Sequence, residues 1–147
     1  MAVVSVRVDE RVKEKLNLYV KQREWYQPFC PSMLDTEAAR MFEDVKGNDR
    51  FMTMAYRVRD DRQDLLKSVV HIDNTARPQM VDGENPSYRR VLERLRKKLG
   101  YGVMLNTSFN IHGMPIVMSP EDALLTMKKT KTRHMFLGRF YVENRGA

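Results

Sequence analysis

The sequence predicts a mixed α and β fold (α/β, of the α+β kind) with a mixed sheet, and three observations predict it. Helix-start signals and apolar residues at helical spacing mark several segments. Short apolar runs bounded by turn residues mark strands between them. The two kinds alternate irregularly, which does not suit a repeating βαβ wind. The chain has 147 residues, 42% hydrophobic and 31% charged, and one domain over residues 1–147 is expected. A chain of this size buries roughly 68–70% of its unfolded surface and needs no staples. Its single cysteine, Cys30, excludes an internal disulfide and a cysteine-based zinc cluster. That usage fits a reducing compartment, so a cytoplasmic location is expected. No apolar run approaches the roughly 20 residues needed to span a bilayer. The opening MAVVSVRVDERV turns charged too early for a secretory signal. A net charge of +7 favours an anionic partner: a phosphate compound, nucleic acid or an acidic protein surface.

The elements follow in order. Val3–Val8 alternates valine with arginine and reads as an edge strand. Asp9–Tyr19 is a helix, with Asp9 as cap and Val12, Leu16 and Tyr19 on one face. Asp35–Glu43 is a second helix, opened by Asp35 and stopped by Gly47 beyond its end. Phe51–Tyr56, Val69–Ile72 and Gln79–Val81 are strand candidates. Pro86–Leu99 is a third helix, with Tyr88, Val91, Leu92, Leu95 and Leu99 on its apolar face and Gly100 as its stop. Gly102–Leu105 and Pro115–Val117 read as strands. Ser119-Pro120-Glu121-Asp122 is a strong helix start: a serine cap, proline in the first turn and an acid three residues after the cap. The last strand, Met135–Val142, is interrupted by Gly138.

Three stretches could carry chemistry. In an extended segment, Lys21 and Arg23 would point to the same side and aim two cations at one anion. On spacing alone, a solvated basic face after a basic helix is the favoured reading. Pro28-Phe29-Cys30-Pro31-Ser32 reads as a rigid irregular segment behind them. In His71-Ile72-Asp73-Asn74-Thr75-Ala76-Arg77-Pro78, alternation puts His71, Asp73 and Thr75 on one face. A metal pair, an acid–base pair or a loop tied by its own Asp and Thr bonds would each fit. Pro78 biases Arg77 to an extended backbone. Ser108-Phe109-Asn110 repeats the two-residue spacing, with Ser108 and Asn110 facing one way and Phe109 the other. Their hydroxyl and amide can meet phosphate, ribose or carbonyl oxygens, or can simply form a turn before Gly113. His112 is ambiguous and His134 reads as structural. The sequence contains no nucleophile motif, Gly-rich phosphate loop or pair of catalytic carboxylates.

Lys-x-Arg early and Ser-x-Asn late resemble the two halves of the nucleotide-binding signature of YrdC-like domains. Three longer blocks, VKQREWYQPFCPSML (Val20–Leu34), VVHIDNTARPQMV (Val69–Val81) and LNTSFNIHGMPIVMSPEDAL (Leu105–Leu124), resemble the C-terminal domain of the O-carbamoyltransferase family, of the nodulation and antibiotic-tailoring type. The resemblance runs from about Asp9 to Val142. It implies a YrdC-like twisted mixed β-sheet flanked by helices, with a concave nucleotide-binding face. It also implies a carbamoyltransferase domain that takes ATP and carbamoyl phosphate and forms a carbamoyl-adenylate. The carbamoyl group would pass to an acceptor hydroxyl on an N-terminal domain of the actin-like ATPase fold, which this chain lacks. By that resemblance, Lys21 and Arg23 neutralise phosphate oxygens, and Arg77 adds a third cation near the reacting group. Ser108 and Asn110 hydrogen-bond phosphate or carbamoyl oxygens, Asn106 and Thr107 shape the turn, and Mg²⁺ accompanies ATP. Two positions depart from the family pattern. Met114 stands where members commonly have Glu, which removes a carboxylate from any pairing there. Asn74 stands where they have Gly, and Asn is the mildest replacement in a left-handed turn. The second reading is a non-catalytic basic RNA-binding module. Its contact face would be Arg89, Arg90, Arg94, Arg96, Lys97 and Lys98, although the sequence offers no evident stacking aromatics on an exposed sheet.

Overall fold

The computed structural model describes residues 2–5 and 10–146. The elements in chain order are β1 (Ala2–Ser5), α1 (Glu10–Lys15), a π-helical turn (Leu16–Lys21), β2 (Cys30–Leu34), α2 (Ala38–Met41) entered through a 3₁₀ turn, β3 (Tyr56–Arg57), α3 (Gln63–Leu66), β4 (Thr75–Ala76), β5 (Gln79–Val81), α4 (Pro86–Leu99), β6 (Val103–Thr107), α5 (Pro120–Lys129), β7 (His134–Leu137) and β8 (Phe140–Glu143). The Asp9 cap and the end of the Val3–Val8 run lie outside the described residues. The mixed α+β class expected from the sequence is the one found. No helix among the described residues is long and apolar enough to cross a membrane. The chain forms two compact units, one mainly Pro28–Thr107, the other Glu14–Gln27 together with the chain from Ser108 onward.

The larger unit is built on a four-stranded sheet ordered β1-β6-β2-β5. β2 runs parallel to β5, with Ser32 opposite Gln79 and Leu34 opposite Val81, and antiparallel to β6, with Cys30 opposite Asn106. β2 is thus a central strand, buried from Pro31 to Leu34, where the sequence suggested only a rigid irregular segment. Its proline is tolerated for a geometric reason. Leu34 N–H donates to Gly102 on the β6 side. Alternation along the strand therefore turns position 31 toward β5, and pairing with β5 begins only at Ser32.

Leu34, Val81, Leu92 and Met104 form a buried cluster, with Tyr88 and Leu95 of α4 packed against it. α4 has the expected bounds, is capped by the Asn85 side chain, and stops at Gly100, whose φ is +85°. Val91 is the exception on its apolar face and lies exposed. The basic face is partly committed: Arg89 reaches Asp35 and Glu93, and Arg96 reaches the buried Glu37. Gly102 allows the close approach of α4, because a Cβ there would stand 2.9 Å from both Leu34 Cδ1 and the Leu92 carbonyl oxygen.

Several expected strands are loops instead. In Phe51–Tyr56, Asp49 accepts hydrogen bonds from the N–H groups of Phe51, Thr53 and Met54 and from the Thr53 hydroxyl. That local bonding displaces a ladder, and pairing starts only at Tyr56 opposite Ala76. Burial alone would raise the Asp49 carboxyl, but these donors outweigh it and hold its pKa below the ordinary value. Val69–Ile72 is a turn, with Val69 and Val70 N–H bonded back to Leu66. α2 ends at Met41, short of the expected Glu43, because Phe42 turns extended and bridges to Val58. Pro115–Val117 forms no strand.

In the smaller unit α5 carries the expected capping box. Ser119 Oγ accepts from the Asp122 N–H, and Asp122 Oδ2 accepts from the Ser119 N–H. The interrupted strand Met135–Val142 is a hairpin of β7 and β8, folded at Gly138 with φ +59°. One face shows Phe136 (79% exposed), Tyr141 and His134, with Tyr141 at ring-centroid distances of 5.2 Å and 5.8 Å from the other two. Exposed aromatics on a sheet, not evident in the sequence, are therefore present.

Candidate functional site

The smaller unit holds Lys21, Arg23, Ser108 and Asn110. Lys21 ends the π-helical turn, and Gln22 follows in the left-handed region at φ +53°. The expected extended Lys-x-Arg is therefore not formed: a helical turn and a reversal replace strand alternation. The widened turn buries Leu16, Asn17 and Lys21 together. Lys21 is only 3% exposed. Its Nζ donates to the Ser108 carbonyl oxygen at 2.9 Å, to Ser108 Oγ at 3.0 Å and to Asn110 Oδ1 at 2.6 Å. Three donors thus meet three neutral oxygens, and among the described residues no carboxylate shares the ammonium's hydrogen bonds. Burial, then the nearby Arg23 charge, pushes its pKa from 10.5 to about 8.

Arg23 is placed by Asn17. Its Nε donates to Asn17 Oδ1 at 2.7 Å, and its N–H donates to the Asn17 carbonyl at 2.9 Å. The Asn17 amide donates in turn to the carbonyls of Trp25 and Gln27 at 2.8 Å and 2.9 Å. A fully buried asparagine therefore organises the whole 23–27 loop. Sequence reasoning missed it, although a polar Asn beside Leu16 on a helix face is the kind of anomaly that signals such a role.

Ser108 and Asn110 converge as their spacing suggested, although they lie on a bend after β6. Ser108 Oγ bonds Asn110 Oδ1 at 2.7 Å, and Asn110 Nδ2 donates to the Met114 carbonyl at 2.7 Å. The His112 N–H donates to the Lys21 carbonyl at 2.8 Å, while its ring is exposed. At the departure from the family pattern, Met114 thus contributes backbone. Thr107 is the last residue of β6. Asn106, buried within β6, donates to Gln79 Oε1 at 3.2 Å, an oxygen that also accepts from Ser32 Oγ.

Arg77 belongs to the larger unit and is exposed between β4 and β5. Before it, Asn74 sits at φ +61°, the left-handed turn expected of it. Asp73 Oδ1 accepts from both the N–H and the hydroxyl of Thr75. His71 N–H bonds to the Thr75 carbonyl across this turn, so His71, Asp73 and Thr75 do not alternate along a strand. Self-tying is the reading of this loop that the geometry supports. Burial holds the His71 pKa below its ordinary value, against the pull of Asp73.

Comparison with known proteins places this arrangement. The carbamoyltransferase C-terminus family matches residues 2–144. An uncharacterized protein of Methanocaldococcus jannaschii is 41% identical over 138 residues, 93% of this chain. Nodulation protein NolO of Bradyrhizobium diazoefficiens is 38% identical over 92% of the chain. The 3'-hydroxymethylcephem-O-carbamoyltransferase of Amycolatopsis lactamdurans is 33% identical over 86% of it. The chain spans 22%, 25% and 24% of the lengths of these three relatives. Its sequence blocks, matched along nearly the whole length, make it a member of the carbamoyltransferase C-terminus family, the C-terminal domain of O-carbamoyltransferases.

Proposed function

We propose that this domain binds ATP and carbamoyl phosphate and forms a carbamoyl-adenylate for transfer to an acceptor hydroxyl held by the remainder of a carbamoyltransferase. The observation that carries this reading is the buried Lys21 ammonium, bonded among the described residues only to neutral oxygens, beside the Arg23 guanidinium. A cation buried without a compensating anion costs stability, and an arriving phosphate offsets that cost. The reaction brings two anions together, so fixed positive charge at low dielectric contributes more to rate than a general base does. Arg23 supplies a planar fork and Lys21 a point charge. Ser108 and Asn110 hold Lys21 in place by accepting its N–H groups, donors that an entering oxyanion would take over. Atom balance requires one water as pyrophosphate and phosphate leave. The side chains here are cations, a hydroxyl and an amide, a donor set that does not hold Mg²⁺, so the ion would ride on the nucleotide's phosphates. Arg77 enters the reaction by family resemblance, as does the supporting part of Asn106 and Thr107.

Exchange of labelled pyrophosphate into ATP, dependent on carbamoyl phosphate, is the expected result for the folded domain. Absence of ATP binding by calorimetry at millimolar nucleotide overturns the reading. The exposed aromatic face of the β7–β8 hairpin favours a second reading, single-stranded RNA binding by base stacking. Salt-sensitive RNA retardation that ATP does not compete away would support it.

A further inference from the structure

Two large aromatic side chains stand unburied immediately beside the anion site. Trp25 is 59% and Tyr26 58% exposed, their rings edge to face with centroids 5.9 Å apart. Their backbone is not loose. The fully buried Asn17 bonds the Trp25 and Gln27 carbonyls with its amide, and the Gln27 N–H closes a turn onto Glu24. The same Asn17 fixes Arg23 by side chain and backbone. One buried residue thus holds both the Arg23 side chain and the backbone that carries an exposed indole two residues on. Chain connectivity keeps the Cα atoms of Arg23 and Trp25 within about 7 Å of each other. A structural tryptophan gains stability by burial, and this one leaves most of its ring in water. An exposed ring on a backbone fixed by Asn17, set edge to face against Tyr26, offers a stacking surface at reduced entropic cost on binding.

We infer that Trp25, buttressed by Tyr26, is the stacking platform for the base of the nucleotide whose phosphates Lys21 and Arg23 take. The inference rests on the proposed ATP binding and adds the base subsite to it. Stacking recognises a π-face rather than hydrogen-bond edges, so the platform accepts purine triphosphates broadly and prefers the larger ring systems.

Trp25 is the sole tryptophan of the chain, so its emission reports this subsite alone. ATP is expected to quench that emission, while inorganic tripolyphosphate, which has the phosphates without the base, binds with little change. In calorimetry Trp25→Ala weakens ATP roughly ten- to hundred-fold and leaves tripolyphosphate unaffected, and Trp25→Phe recovers most of the loss. ATP heat without quenching, together with unchanged ATP affinity in Trp25→Ala, overturns the inference and leaves the proposed function standing. No heat from either ligand overturns both.

Discussion

Lys21 shows how burial turns an ordinary surface residue into a poised one. Its ammonium is desolvated, and its pKa falls to about 8 because burial and then Arg23 both oppose the charge. ATP keeps a constant charge above neutral pH, so its affinity is expected to fall as pH rises through about 8, the direction in which Lys21 loses its proton. Calorimetry between pH 7 and 9 checks this, and Lys21→Met should flatten the profile at a weaker affinity. Stability responds with the opposite sign. Between about 8 and 10.5 the unfolded chain binds more protons at this lysine than the folded one does, so its contribution to folding stability rises with pH. Below 8 both states are protonated and the contribution is flat. Urea midpoints of the wild type and Lys21→Met across that window would show it. Arg23→Ala is expected to weaken nucleotide binding at least about tenfold, because a charge-assisted contact is lost. The fold should survive, since Asn17 keeps its bonds to Trp25 and Gln27. Unchanged affinity with native circular dichroism would remove Arg23 from the site.

Among the elements, the π-helical turn and the bend after β6 do the positioning, and α5 and α4 stabilise their own units. Ser119→Ala removes the side-chain half of the α5 capping box, the Oγ that accepts from the Asp122 N–H, and should cost about 1 kcal/mol. Gly102→Ala drives a Cβ to 2.9 Å from backbone at Leu92 and from Leu34, so about 1–3 kcal/mol is expected. Denaturant unfolding of the two variants checks the order, and a neutral Gly102→Ala would mean that α4 shifts freely. Position 74 gives a subtler test. Asn74→Gly is expected to be silent and Asn74→Val to destabilise, because a β-branched residue cannot relax at φ +61°.

For the whole molecule, the deciding fact is proportion. The chain spans about a quarter of the relatives with known family membership. The proposed division of labour puts activation here and acceptor binding elsewhere. The domain alone is therefore expected to exchange pyrophosphate into ATP without carbamoylating a hydroxyl acceptor. Chromatography of acceptor incubated with the domain, ATP and carbamoyl phosphate tests this, and a carbamoylated product from the domain alone would refute the division. The net charge of +7 suits the two anionic substrates proposed, though part of the α4 basic face is spent on Asp35, Glu37 and Glu93.

The α4 bounds, the α5 capping box, the left-handed Asn74 and the approach of Ser108 to Asn110 could all be read from residue order, because each depends on neighbours within a few positions. The β2 strand, the π turn at Lys21 and the role of Asn17 could not. β2 carries two turn-like prolines in its vicinity and becomes a strand only through β5 and β6, whose residues lie far along the chain. Lys21 looked like half of an alternating pair, and only the tertiary structure shows it donating to Ser108 and Asn110, 87 and 89 residues away, and buried enough, beside Arg23, for its pKa to fall. Local sequence thus determined the caps, the turns and the family blocks. Tertiary structure decided which cation is buried, which is braced by Asn17, and which aromatic rings remain in water, because desolvation depends on what the rest of the chain covers.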